Sequence, residues 1–318
     1  MKQFLIILTT LFLTSCYQEI DLDKYRNEEG ENIVTLNAII NPDSVVQAYA
    51  TRTYFYTDGH SKPKYIDSLN IELWINDKFI QTMTFDDSIY ESKSYPKAGD
   101  RVHLRTKFLN QEITATNIIP KQVEIESIEA TLEGPIHIFW EDDMVYTYYI
   151  TFTDDPNEEN YYFLRFIEPY FSRPIDGLNF DGEYVFQQLK QQINDIMPGY
   201  ELNPYRGLPF SDTGINGNTH TLIVKEIDQE GASRYGKKPY PNEKPIKIQL
   251  FAISKDYYYY LVDVARVQGD SGISSGLIDI GAAEPIKIFS NIDGGVGIMG
   301  AYNLSEKCVD IIQIMEIK

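Results

Sequence analysis

The chain is poor in the residues that most often build compact chemical sites. Its 318 residues include two cysteines, four histidines and two tryptophans. Two cysteines exclude a disulfide-stapled scaffold. His60, His103, His137 and His220 are scattered, with no i, i+4 pair and no His-Glu-x-x-His, so no zinc centre is expected. Positive charge is scarce as well: 28 Lys and Arg stand against 47 Asp and Glu, a net −19. A phosphate-binding surface needs a basic patch, so nucleic acid is excluded as a partner. The apolar N-terminal run from Phe4 to Phe12 falls far short of the roughly 20 residues that span a bilayer. Strand formers are plentiful instead. There are 24 Tyr and 16 Phe in a chain that is 43% hydrophobic, enough to bury a core and to favour sheets over helices.

The N-terminus has the layout of an export signal. Lys2 supplies a positive start, Phe4 to Phe12 an apolar centre, and Leu13-Thr14-Ser15-Cys16 follows at once. That last run resembles a bacterial lipobox, which implies cleavage after residue 15 and acylation of Cys16. Several acyl chains give stable anchoring where one alone is marginal. Residue 17 is Tyr, so the usual inner-membrane retention Asp is missing, and Glu19, Asp21 and Asp23 resemble surface-export signals. The expectation is a signal peptide at 1–15, an acidic tether at 16–31 and a lipid-anchored place in the outer membrane, on the cell surface. Cys308 is left alone in an apolar run and reads as a small buried hydrophobe.

From residue 32 the pattern becomes that of strands. Val34, Leu36, Ala38 and Ile40 alternate with mostly polar neighbours, the period of a half-buried strand. Further short runs at 46–51, 71–75, 79–85, 102–108 and 112–117 are separated by turn residues such as Asn76-Asp77 and Gly99-Asp100. The spacing predicts an immunoglobulin-like β-sandwich over 32–120, without the Cys–Trp–Cys hallmark. Pro120 marks the boundary. A larger β-rich domain over 121–318, a sandwich or barrel with one or two short helices, is expected from runs at 123–128, 135–140, 145–153, 161–167, 219–227 and 246–254. Two final strands are expected at 286–290 and 308–317. Tyr257, Tyr260, Leu261 and Val264 fall at i, i+3, i+4, i+7 behind Ser254, which predicts an amphipathic helix over 255–268. Residues 169–218 form a long irregular insertion with one candidate helix at 183–196. A stretch of that length inside a domain is often functional.

Three segments together resemble a family of Bacteroidota outer-membrane lipoproteins known as domain of unknown function 4249. They are Trp140 with Asp154-Asp155-Pro156 and Glu159-Asn160-Tyr161-Tyr162; Phe210-Ser211-Asp212 with Asn216-Gly217; and Ser290-Asn291-Ile292 before Gly294-Gly295-Val296-Gly297-Ile298-Met299-Gly300-Ala301-Tyr302. The last is the most specific. Met299 departs from it, standing where an aromatic residue is expected. The resemblance implies a β-rich, two-part lipoprotein made alongside TonB-dependent outer-membrane receptors, hence a role in nutrient import. It carries over no catalytic residue.

The remaining motifs favour structure over chemistry. Gly295 to Gly300 matches G-x-G-x-x-G, but a dinucleotide site needs a following helix and the rest of a nucleotide-binding unit, for which the chain has no room. Glycines that permit a close backbone approach are the better reading. Gly272-Ile273-Ser274-Ser275-Gly276 matches G-x-S-x-G, yet no His follows Ser274 to complete a triad in that order. Two carboxylate groups, Glu141 to Asp143 and Asp154 to Glu159, would lie at opposite ends of one hairpin, roughly 30 Å apart. Asp154, Asp155 and Glu158 are the candidates for a low-affinity Ca²⁺ site. Tyr170, Phe171, Tyr184, Phe186, Tyr200 and Tyr205 in the insertion are the candidates for ligand or partner contact. No cofactor is expected. The leading expectation is a non-enzymatic binding or accessory subunit of a TonB-dependent uptake receptor. A surface glycan hydrolase using an Asp/Glu pair and a structural or adhesion module are the alternatives.

Overall fold

A computed structural model describes residues 33–53, 64–138, 141–167, 174–175, 178–180, 182–187, 189, 207–228, 245–269 and 287–309. Cys16, the tether and Ser274 therefore lie outside the described residues. The N-terminal part contains β1 (Val34–Ile40), β2 (Gln47–Arg52), β3 (Lys64–Tyr65), β4 (Glu72–Ile75), β5 (Lys78–Thr82), β6 (Thr84–Asp86), β7 (Ile89–Glu91), β8 (Arg101–Phe108) and β9 (Gln111–Ile118). One sheet has the order β1-β2-β7-β6 and the facing sheet β5-β4-β8-β9. Lettered along the chain, these are A-B-E-D against C′-C-F-G, which is the immunoglobulin-like arrangement. The β4–β5 connection is the two-residue turn Asn76-Asp77, both at positive φ (51° and 63°), whose twist suits a tight hairpin. The core between the sheets is aliphatic, with Leu36, Ile40, Ile71, Leu73, Leu104 and Ile113 fully buried.

The second part contains β10 (Ile125–Ile138), β11 (Glu141–Thr153), β12 (Tyr161–Ile167), β13 (Leu178–Asn179), β14 (Leu208–Ser211), β15 (Thr219–Asp228), β16 (Ile246–Ile253), helix α1 (Lys255–Gly269) and β17 (Val296–Val309). The sheet β10-β11-β15-β13 faces β14-β12-β16-β17. Their shared core is aromatic. Phe152 packs on Tyr162 (ring centroids 5.3 Å) and Phe210 (6.3 Å), and Tyr148 packs edge-on against Phe166 (5.2 Å). On β12, Tyr162, Leu164 and Phe166 enter that core while Tyr161 and Phe163 face the other way. There α1 forms a third layer, with Tyr161 against Tyr258 (4.8 Å). Ser254 caps the helix, its Oγ accepting from Tyr257 N at 3.4 Å.

Two cores thus meet near Pro120. Ile119 ends the N-terminal stretch of the first and Ile125 begins the second. One segment crosses this line. The start of β17 pairs parallel with β1, in register from Thr35↔Val296 to Ile40↔Ala301. A single large sheet therefore runs β14-β12-β16-β17-β1-β2-β7-β6 through both sandwiches, with β3 on β2. Just before it, Asp293 bridges Thr114 of β9, N to O at 3.0 Å and 2.9 Å. The C-terminal segment is thus held between β1 and β9, the first and last strands of the first sandwich. Ile292, Met299 and Ala301 join the first core.

This is what the glycines are for. At Gly297, with φ +121°, a Cβ would sit 2.2 Å from Leu36 O, and at Gly294 only 2.0 Å from Glu112 O. The close backbone approach expected of these glycines is what the structure shows: Gly294 and Gly295 turn into β17, and the run lies against the backbone of β9 on one side and β1 on the other. Some other expectations need correction. The run 79–85 is two strands on different sheets, broken at Met83. The runs 123–128 and 135–140 are one strand, β10, with Pro135 at the irregularity between Glu133 and Ile136 where no ladder bond is asked of it. Residues 287–290 are not a strand; Phe289 N instead donates to Asp263 of α1 at 2.8 Å. The expected strand from Cys308 is the end of β17 in its described part. Cys308 itself is exposed, since it falls on the open side of the pleat beside Lys247.

Candidate functional site

Two turns meet at one end of the second sandwich: 154–160, between β11 and β12, and 212–218, between β14 and β15. Asp154, just past the end of β11, is 2% exposed and points inward. One of its oxygens accepts from the Tyr162 hydroxyl and the other from Gly217 N at 2.8 Å. Asp212 is 5% exposed and accepts from Asn160 N at 2.8 Å, while its own N–H donates to Asn160 O at 3.0 Å. The carboxylates take the place of ladder bonds that the turns cannot make. Burial, with the Asp154 charge nearby, raises the Asp212 pKa, and burial beside Asp154 pushes the Tyr162 hydroxyl well above its ordinary value.

The outer carboxylates are also engaged. Asp155 Oδ1 accepts from Asn157 N (3.0 Å) and Nδ2 (2.8 Å), a local Asx turn that lowers its pKa. Lys121, from the link between the sandwiches, pairs with Asp155 at 3.2 Å and Glu158 at 3.1 Å. Glu159 pairs with Lys255 of α1 at 2.9 Å. The calcium candidates Asp154, Asp155 and Glu158 therefore form no cation cage. Asp154 turns inward, and an ammonium group stands between the other two. Among the described residues no group of three His, Cys, Asp or Glu could hold a metal ion. Glu141 to Asp143 begin β11 and Asp154 follows its end, so the two acidic clusters lie at opposite ends of one strand. They do not combine into a pair of catalytic carboxylates.

The insertion gives a different picture. Tyr170, Phe171, Tyr200 and Tyr205 lie outside the described residues. Tyr184 and Phe186 form a 3₁₀ turn. Phe186 is a core residue, edge-on to Phe180 (4.9 Å) and Phe210 (5.0 Å), so it packs and does not offer a contact surface. Tyr184 is 42% exposed, its hydroxyl donating to Gly214 O at 2.8 Å. Beside it stands a pair that sequence reasoning missed. Glu183 is buried, with Oε1 accepting from Ile223 N (2.7 Å) and Oε2 lying 3.3 Å from His220 Nε2. β13 pairs with β15 only at Glu226 and Lys225, and Glu183 supplies the acceptor that a longer β13 would have provided. The His220 ring is edge-on to Phe152 (6.3 Å) and Tyr184 (5.7 Å). No spacing rule links Glu183 to a histidine 37 residues away, so the sequence carried no signal for it. The result is a small aromatic patch, Tyr184 over His220, held by a buried carboxylate whose oxygens are both in use.

The family model described as Domain of unknown function (DUF4249) matches residues 18–308. The chain belongs to this family. No curated protein matches it. The matched span takes in both sandwiches and the β17 strand that joins them. Within that span, the segment Ser290 to Tyr302 ties the two halves of this chain together.

Proposed function

We propose that the protein is an outer-membrane lipoprotein, anchored through Cys16, that serves as a non-enzymatic binding or accessory subunit of a TonB-dependent uptake receptor. The observation that carries this reading is the N-terminal sequence: Lys2, the apolar run to Phe12, and Leu13-Thr14-Ser15-Cys16. The first strand begins at Val34, so residues 17–33 could span at most about 60 Å between an acylated Cys16 and the folded body. No helix among the described residues is long and apolar enough to cross a membrane. Support for a binding role over a reaction comes from the carboxylates: Asp154, Glu183 and Asp212 are each spent on backbone or tyrosine donors.

The test is gentle solubilisation of outer membranes and capture of a C-terminally tagged copy, with Cys16→Ala as the unanchored control. A TonB-dependent receptor recovered in stoichiometric amount with the wild type is the expected result. Recovery of the anchored protein alone would refute the receptor assignment and favour an adhesion module. Recovery of the wild type in the soluble fraction would refute the anchor.

A further inference from the structure

Strands β12, β16 and β17 carry one transverse polar row in register, Arg165↔Gln249↔Glu306. Arg165 Nε donates to Gln249 Oε1 at 2.9 Å, and Gln249 Nε2 donates to Glu306 Oε2 at 2.6 Å. Lys247 closes the row, 3.2 Å from Glu306. The Arg165 guanidinium lies over the Phe251 ring, 5.0 Å from its centroid, and Phe251 meets Tyr302 edge-on at 5.3 Å. Tyr257 and Tyr302 couple electrostatically to Arg165, and Tyr302 also feels the charge of Asp43 from the turn after β1.

Arg165 is half-buried, and burial lowers its pKa. Among the described residues only its Nε–H has a protein acceptor, and no carboxylate pairs with it directly. Its outer nitrogens are not among the buried atoms lacking a partner, so they keep some contact with solvent. Holding such a charge against aromatic rings without its own anion is costly. A planar fork with parallel donors matches a carboxylate in bidentate fashion. Glu306 nearby, in a chain of net −19, disfavours a doubly charged phosphate more than a singly charged carboxylate.

We propose that Arg165 anchors a binding site for a ligand carboxylate, with Phe251, Tyr257 and Tyr302 as its aromatic wall. The carboxylate could belong to a sugar acid or to a peptide C-terminus, which present the same planar anion. This inference does not rest on membrane anchoring or on a receptor. The site can fail its test while the receptor is recovered, and the reverse.

Titration of the intact protein, followed by calorimetry or NMR, tests it with two matched probe pairs: glucuronate against glucose, and N-acetyl-Ala-Ala against its C-terminal amide. At least one acid should bind about tenfold or more tightly than its neutral counterpart. Glucuronate alone would identify a sugar acid, and the peptide acid alone a chain terminus. Arg165→Met should abolish the preference. Arg165→Lys, which keeps the charge and loses the fork, should weaken it about tenfold. If Arg165→Met does not fold, Arg165→Lys decides. Acids that bind no better than their neutral partners, or an undiminished preference in Arg165→Lys, would overturn the proposal.

Discussion

The two sandwiches solve the same packing problem with different materials. The first is filled by Val, Leu, Ile and Ala, with Tyr90 as its one large, fully buried ring among the described residues. The second is filled by interlocking rings, and it holds every buried Asp and Glu among the described residues: Asp154, Glu183, Asp212 and Glu226. Aliphatic layers interdigitate along regular strands and need little else. Large rings leave the intervening turns to be fastened separately, and the buried carboxylates do that fastening. The first sandwich is therefore a regular scaffold closed from outside by β17, and the second a patterned core closed from within by polar ties.

The sharpest way to break this contrast is at the seam. Met299 belongs to the first core although it lies on the strand shared with the second. Met299→Asp places an unpaired charge there and should cost about 3–5 kcal/mol. If β17 joins the halves into one cooperative unit, urea unfolding followed by Trp74 fluorescence and by far-UV circular dichroism should shift together. Two separated transitions would show that the sandwiches are independent. Next in size, Phe152→Ala removes the ring at the centre of the aromatic core and should cost about 3–5 kcal/mol, against about 2–5 for Leu104→Ala in the aliphatic one. A much smaller loss for Phe152→Ala would mean that the polar ties, and not the rings, carry the second sandwich.

The alternation of Val34, Leu36, Ala38 and Ile40, and the Asn76-Asp77 turn, made the first sandwich readable, because period-two burial and hairpin chemistry are local. The helix behind Ser254 was readable for the same reason. β17 was not. Four glycines within seven residues suppress strand propensity, and three of them, Gly294, Gly295 and Gly297, are needed because of backbone that lies 180 or more residues earlier in the chain. At the candidate sites, Tyr184 was in view because of its residue type. Phe186 looked identical in sequence, and only its packing on Phe180 and Phe210 separates the two. Glu183 with His220, and Arg165 with Gln249 and Glu306, are partnerships made by sheet register, which no local pattern announces.

The polar ties can be tested one at a time. Tyr162→Phe removes the hydroxyl that donates to Asp154 and leaves that buried carboxylate with one fewer partner. It should cost about 1–3 kcal/mol, measured by chemical denaturation at neutral pH. The corresponding loss in the first sandwich is Tyr90→Phe, where the hydroxyl donates to Ile66 O at 2.6 Å and accepts from Leu69 N at 3.0 Å. A backbone-only tie should cost less than one involving a carboxylate. The smallest effect is one of pH. Asp212 has a raised pKa, so the folded state holds its proton more tightly than the unfolded chain does. Its ionisation therefore removes stability as pH rises from the ordinary carboxylate range through the raised folded value. Asp212→Asn should flatten that decline, with the variant gaining on the wild type as pH rises. A stability curve unchanged by the substitution would show that the buried carboxylate does not titrate differently in the two states.

The parallel pairing of β1 with β17 also has a consequence in time. Asn37 of β1 accepts a hydrogen bond from Ile298, 261 residues later in the chain. As the polypeptide is made from its N-terminus, β2 is available to β1 almost at once, but the opposite edge has no native partner until nearly the whole protein has emerged. That edge stays open to other strands for the duration of synthesis. Contacts of such long range also slow folding, because the loop they close must be ordered first. β17 thus closes the N-terminal sandwich late, as its latch.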